Sequence, residues 1–312
     1  MAARVYDLVM THQLDADGFF IHCVQKGCAE RGMDFFLVEP LWATVFFEAF
    51  QREDLWPRVL LNMQSEHHLP QEIFHRIVNL AEARKTLVID PPSVAGAAFD
   101  KSLLHPKLEA AGLSVPATIL VAASEASSFQ LSAEQRALLG EPFVIKPARG
   151  YGRKGVILDA RAASDLQRSI AAWPDETYLI QRKIIPRNLG LKPAYWRLFY
   201  VFGALWWCWW DCFTDRYTEV TPDEIEHHQL QPLADGMRKI AALTGMNFFS
   251  SEVAQAEAGE FVWIDYVNDQ CHMLTQSANP KMGVPDRVVE AIARKLVEAA
   301  ADLLWRSKAM AA

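Results

Sequence analysis

The chain of 312 residues contains no apolar run long enough to cross a membrane as a helix. Its longest charge-free apolar stretch, Leu198 to Trp210, is bounded by Arg197 and Asp211 and falls short of the roughly 20 residues that a spanning helix needs. A signal-peptide core is missing as well, because Asp7 interrupts the run from Val5 to Met10, so the expectation is a cytoplasmic protein that does not engage a membrane. Cysteine is scarce and odd in number: Cys23, Cys28, Cys208, Cys212 and Cys271. Neither Cys23 with Cys28 nor Cys208 with Cys212 has the two-residue gap of a zinc knuckle, so reduced thiols are expected rather than a disulfide framework. Positive charge is not in excess either. Lys and Arg number 31 against 38 Asp and Glu, a net charge of −7. That balance excludes a general polyanion binder and hence nucleic acid as the expected partner, while leaving room for a local cationic pocket. No Gly-x-Gly-x-x-Gly follows the first apolar run, so the N-terminal lobe lacks the dinucleotide fingerprint, and no Gly-Lys-Ser/Thr ending marks a Walker loop. The adjacent pairs His67-His68 and His227-His228 point in different directions on any regular element, so they read as surface or structural histidines. There is no internal repeat and no low-complexity linker.

What is present is ordinary globular composition, 51% hydrophobic and 22% charged, with length for two or three packed lobes. The first hundred residues alternate. Apolar runs at 4–10, Asp34 to Val38, Val59 to Met63 and Thr86 to Ile89 read as strands. Between them, Phe19, Phe20, Cys23 and Val24, then Trp42 to Phe50, then Ile73, Ile77, Val78 and Leu80 recur at helical spacing. Near-continuous apolar strands separated by amphipathic helices predict an open parallel sheet with helices on both faces. Pro40 is expected to stop the second strand and Asp90-Pro91-Pro92 to close the fourth.

The second half carries the chemistry. Pro142 to Leu158 is a strand ending in Lys146-Pro147, a turn with Gly150, Gly152 and Gly155, and a second strand. Glycines let backbone fold close over a ligand and turn several N–H groups the same way. Arg149, Arg153 and Lys154 make that turn cationic, which suits a polyphosphate. Upstream, Asp100-Lys101 opens a helix from Ser102 to Ala111; downstream, Thr177 to Ile185 is a strand containing Gln181-Arg182-Lys183. Tyr195 to Gly203 and Ala204 to Trp210 read as a hairpin whose aromatic residues pack on both faces. Near the end, Phe248 to Val253 and Phe261 to Asp269 flank a turn at Glu257 to Glu260. If these two pair, Glu252 and Asp265 can face one cleft, and two carboxylates with an amide suit a hard, oxygen-seeking ion. Val288, Ile292, Leu296, Ala299 and Leu303 are spaced as an amphipathic covering helix.

Taken in order, Lys101, Lys146-Pro147 with its glycine turn, Gln181, Arg197, Glu252, Asp265 and Asn268 resemble the ATP-grasp superfamily, with glutathione synthetase, D-alanine–D-alanine ligase and the ribosomal-S6-modifying ligases as examples. The resemblance covers nearly the whole chain. It rests on the ordered set, since no single motif is specific. It implies an α/β protein (α+β in its ATP-grasp part), with an N-terminal open parallel lobe at 1–98, a central lobe at 99–183 and a C-terminal lobe at 184–312. By that resemblance Lys101 and Lys146 reach the ATP phosphates. Arg149, Gly150, Tyr151, Gly152, Arg153, Lys154 and Gly155 form the covering loop. Gln181, Arg182, Lys183 and Ile184 form the adenine hinge, and Asn188 is the nearest candidate for the ribose. Arg197 meets the transferring phosphoryl group as the catalytic cation, and Glu252, Asp265 and Asn268 hold Mg²⁺, with Mn²⁺ as an alternative ion.

Three departures from the family pattern stand out. The usual acid-x-Asn is here Asp265-Tyr266-Val267-Asn268, whose extra residue sets Asp265 and Asn268 on opposite faces of a regular strand; Asp269 is a substitute ligand. Arg182 and Lys183 stand where the hinge commonly carries an acid. The Pro-Gly that usually follows the Asn is absent. The resemblance implies phosphoryl transfer from ATP to a carboxylate, and attack by an amine on the resulting acylphosphate. A small-molecule kinase on the same fold and a nucleotide-binding regulator without turnover are the alternatives. Small-molecule acid and amine substrates are the expected partners, peptide ends are a further acceptor class, and dimers are common among the proteins it resembles.

Overall fold

The computed structural model describes residues 3–12, 17–64, 69–126, 128–150, 152–269, 271 and 273–311. In chain order the first elements are β1 (Arg4–Thr11), α1 (Gly18–Glu30), β2 (Phe35–Val38), α2 (Pro40–Gln51), β3 (Leu55–Asn62), α3 (Ile73–Ala83), β4 (Leu87–Ile89) and α4 (Pro92–Phe99). The four strands form a parallel sheet in the order β2-β1-β3-β4. Leu8, Val9 and Met10 on β1 and Val59, Leu60 and Leu61 on β3 are all buried, because helices cover both faces. Pro40 opens α2 at its first turn rather than only ending β2, a position where a missing N–H costs nothing. β3 begins four residues before the expected Val59 and includes Pro57. Pro57 is tolerated because β4 pairs only with Val59 to Leu61, leaving that part of β3 a neighbour on one side alone. The fourth strand does close before Asp90-Pro91-Pro92, at Ile89, and Pro92 then opens α4.

The chain continues through α5 (Lys101–Ala110), β5 (Thr118–Val121), α6 (Ala133–Leu139), β6 (Phe143–Pro147), β7 (Ile157–Ala160), α7 (Leu166–Ala172) and β8 (Tyr178–Arg182). Asp100 caps α5 by accepting from the backbone N–H of Ser102 at 2.9 Å and Leu103 at 3.3 Å. The strands form an antiparallel sheet in the order β5-β8-β6-β7. One face carries Val121, Phe143, Ile145, Tyr178 and Ile180 into a core with Leu139 and Leu166 from the helices. By strand alternation Thr118, Val144, Lys146, Leu179 and Gln181 share the other face. β8 stops at Arg182 because its partner β6 begins there, opposite Phe143.

Last come β9 (Asn188–Leu189), β10 (Lys192–Pro193), β11 (Tyr195–Val201), β12 (Ala204–Asp211), β13 (Arg216–Glu219), α8 (Pro222–His227), α9 (Gln231–Thr244), β14 (Phe248–Gln255), β15 (Phe261–Asn268) and α10 (Asp286–Ala311). A five-stranded sheet runs β13-β12-β11-β14-β15. Its aromatic hairpin is core in part: Trp196 lies opposite Trp209 with ring centroids 4.9 Å apart and both are buried, whereas Trp206 and Trp207 are half-buried. His228 packs edge-on against Trp209, a structural use for one of the paired histidines. Two compact units emerge, the first comprising Met1–Gly96, Trp196–Ser250 and Asn268–Ala312, the second Ala97–Tyr195 and Ser251–Val267. Within the first unit, the buried carboxylate of Asp90 accepts from the backbone and side-chain N–H of Asn247 and from the backbone N–H of Phe248, at 2.8–3.0 Å. No helix among the described residues is long and apolar enough to cross a membrane, and no disulfide joins any of the five cysteines.

Candidate functional site

The second unit gathers most of the expected residues. Lys101 is the first residue of α5 and is buried; its backbone N–H donates to the carbonyl of Ala148 at 3.1 Å, tying the helix start to the end of the lysine strand. Its Nζ lies 3.4 Å from Oδ1 of Asp265 on β15. Lys146 lies on the sheet face opposite the Phe143 and Ile145 core, donates to the carbonyl of Ile264 at 2.8 Å and sits 5.3 Å from the ring centre of Tyr266. Burial pushes this ammonium down to about 8, with Asp265 and Glu252 opposing the shift and Lys101 adding to it. Both carboxylates are thus within electrostatic reach of Lys146, the shared surroundings that the hairpin spacing predicts. Glu252 accepts from the hydroxyl of Tyr195 at 2.9 Å.

Beside this cluster the loop between β6 and β7 turns on Gly152, Arg153 and Gly155, at φ of 57°, 59° and 72°. Arg149 pairs with the buried Glu176 at 3.2 Å, and Lys154 lies 5.8 Å from the ring of Trp173. Gly155 is fixed by more than its φ, since a Cβ there would stand 2.8 Å from Trp173 Cβ and 2.9 Å from Pro147 Cγ. Its carbonyl accepts from Ser169 Oγ at 2.5 Å. Tyr151 lies outside the described residues.

At the hinge, Gln181 is buried. The two cations that replace the family's acid have structural partners: Arg182 donates to the carbonyl of Leu138 at 2.9 Å through Nε, and Lys183 pairs with Asp159. Ile184 is half-buried, and Asn188 is exposed on β9, opposite Pro193. Gln181 donates to Thr118 and to the hydroxyl of Tyr266, which also meets His105. These three residues and Tyr195 escaped the sequence reading. His105 had a signal, four residues after Lys101 on the same helix face. Tyr266 had another, as an extra residue between Asp265 and Asn268.

Arg197 and Asn268 belong to the first unit, where both meet Ser250. Arg197 Nε donates to Ser250 Oγ at 3.1 Å, and the Asn268 amide donates to the Ser250 carbonyl at 3.4 Å. Asp269, the substitute ligand, is buried. Of the turns at 12–17 and 64–68, only His12, Asp17 and Gln64 are described. There, His12 Nε2 lies 3.2 Å from Oδ2 of Asp17, both side chains buried.

No group of three or more His, Cys, Asp or Glu side chains among the described residues forms a metal centre by itself. Glu252 and Asp265 nonetheless fit a magnesium ion that travels with a nucleotide. They are hard oxygen ligands beside two lysines, and Mg²⁺ commonly takes one or two carboxylates with substrate phosphates and water completing the shell.

No family model matches the sequence, and no curated protein does. Solved structures do match over almost the whole length. A RimK domain ATP-grasp protein from Sphaerobacter thermophilus superposes with a TM-score of 0.62 at 17% identity, covering 93% of this chain and 98% of that one. The D-alanine–D-alanine ligase of Bacillus anthracis, complexed with ATP, gives 0.63 at 14% identity and 100% coverage of both. The ATP-grasp ligase PsnB, complexed with a phosphomimetic variant of its minimal precursor, Mg and ADP, gives 0.60 at 13%, covering 96% of this chain and 98% of PsnB. With the strand orders and the placement of Lys101, Lys146 and Asp265 described above, these superpositions show that the chain has the ATP-grasp fold.

Proposed function

We propose that this protein is an ATP- and Mg²⁺-dependent ligase that activates a carboxylate as an acylphosphate for attack by an amine. One observation carries the reading: Lys101, Lys146, Glu252 and Asp265 form a single charge cluster in the second unit, beside a cationic glycine loop. Paired cations and anions of this kind suit a metal-bearing triphosphate, whose negative charge would take over Lys101 from Asp265 and free that carboxylate for the ion. Glu252 and Asp265 would hold Mg²⁺, with Asn268 or Asp269 as further candidates from motif order, and the ion when bound would neutralise charge on the phosphates. Lys101 and Lys146 orient and neutralise the phosphates from the protein side. The loop from Arg149 to Gly155 covers them and excludes water, which would otherwise hydrolyse the acylphosphate. Arg197 as the cation on the transferring phosphoryl group is a proposal from motif order. Most of the catalysis on this scheme is placement and electrostatic stabilisation.

Neighbours of two kinds support a choice of acceptor class. The Bacillus anthracis ligase is named for joining D-alanine, and PsnB is complexed with a precursor peptide. Free amino acids and short peptides are therefore the acceptors to screen first. ADP release across a panel of acids paired with amines, followed by mass spectrometry, tests the reading. Asp265→Ala should cut turnover by roughly 100- to 1000-fold, the scale of losing one oxyanion-stabilising group, with circular dichroism unchanged. Undiminished ADP release by the folded variant would sink the proposal, and a phosphorylated product in place of free phosphate would replace the ligase with a kinase.

A further inference from the structure

Gln181 is held in one orientation by a chain of hydrogen bonds with a single consistent proton assignment. Thr118 Oγ1 lies 2.7 Å from the carbonyl of Pro116. A carbonyl cannot donate, so the Thr118 proton must lie between them. Thr118 Oγ1 can then only accept from Gln181, 2.8 Å away, and the Gln181 atom facing it must be the amide nitrogen Nε2. That same nitrogen lies 3.1 Å from the hydroxyl of Tyr266 and donates its second proton there. The Tyr266 hydroxyl lies 2.6 Å from His105 Nδ1, and donating its own proton there is the arrangement that leaves no buried hydroxyl proton unpaired. Gln181, Tyr266 and His105 are all buried, so water does not supply alternative partners. The consequence for His105 is a neutral ring protonated at Nε2, in keeping with the downward shift that burial imposes on it.

Both amide protons of Gln181 are spent inside the protein. What the residue has left for a ligand is its carbonyl Oε1, an acceptor that cannot swap places with the nitrogen unless the whole relay is broken. Gln181 shares its sheet face with Lys146, the lysine of the phosphate cluster.

We propose that Thr118, Tyr266 and His105 are positioning residues that fix the carbonyl of Gln181 toward the nucleotide base and thereby make the site specific for a purine with an amino group at C6. Adenine offers an N–H donor there. Guanine offers a carbonyl, which would face Oε1 acceptor to acceptor. The inference rests on the nucleotide-dependent reading of this site and deepens it. It also gives a task to Tyr266, the extra residue in the Asp265 to Asn268 spacing.

Calorimetric titration of Mg·ATP and Mg·GTP into the full-length protein, and into Tyr266→Phe and Thr118→Val, tests it. The wild-type protein should favour ATP by roughly 100-fold or more, since a site built around one hydrogen bond rejects a ligand that cannot make it. Each variant frees one amide proton of Gln181 and lets the amide turn, so the ATP-to-GTP ratio should fall about tenfold. Loss of packing alone would weaken both nucleotides together and leave the ratio standing. A folded Tyr266→Phe protein with an unchanged ratio overturns the relay while leaving nucleotide dependence intact; a wild-type protein that binds neither nucleotide overturns both. Should the variants fail to fold, nitrogen NMR of the wild-type His105 ring decides. Protonation at Nε2 supports the assignment and protonation at Nδ1 refutes it.

Discussion

Lys146 shows how a single side chain links stability to binding. Its ordinary pKa of 10.5 is pushed down to about 8 by burial. Between those two values the unfolded chain carries the proton and the folded chain does not, so stability rises with pH across that window as the penalty for a buried charge disappears. Nucleotide binding runs the opposite way. Above pH 8 the site loses a positive charge that the phosphates need, and binding must take up a proton to restore it. ATP affinity should therefore fall from pH 7 to pH 9.5, and calorimetry near pH 8.5 in buffers of different ionisation heat should report net proton uptake. Lys146→Arg, which stays charged, should flatten the profile. A pH-independent wild-type affinity would rule this account out.

Among the elements, the turn between β6 and β7 is the most tightly specified. Gly155→Ala combines a left-handed backbone with contacts below 3 Å to Trp173 and Pro147. Strain and overpacking of this kind cost about 1–3 kcal/mol each. Urea unfolding should register a combined loss of about 2–6 kcal/mol, and an unchanged midpoint would show that the loop rearranges freely. Elements whose own residues carry the signal were legible in the sequence. β1 announces itself as an apolar run because its second half, Leu8 to Thr11, is buried, and Asp100 ahead of Lys101 marks the start of α5. Elements that depend on a neighbour were not. The early start of β3 at Leu55 is permitted by the short reach of β4, and the helix that follows Pro91 had no apolar spacing to mark it. The site divides the same way. Charged residues such as Lys101, Lys146 and Asp265 could be picked out by type and order, whereas Tyr195, His105, Thr118 and Tyr266 matter through distances that only folding creates.

For the molecule as a whole, the two units should respond to different perturbations. Asp90 belongs to the first, where its carboxylate, raised to about 6 by burial, meets three N–H donors. Asp90→Asn turns one acceptor oxygen into a donor facing those groups, a loss of about 1–3 kcal/mol. Chemical denaturation should show that loss without a change in ATP affinity, while saturating Mg·ATP at a hundred times its Kd should add about 2.7 kcal/mol to the second unit. A collapse of ATP binding in the folded Asp90→Asn protein would contradict this separation. The second unit is also discontinuous, leaving off at Tyr195 and resuming at Ser251. On the ribosome, its two lysines emerge long before the acids that balance them. A nascent chain paused anywhere between those points holds Lys101 and Lys146 with neither Glu252 nor Asp265 yet made, so nucleotide cannot template this unit's folding until translation has passed β15.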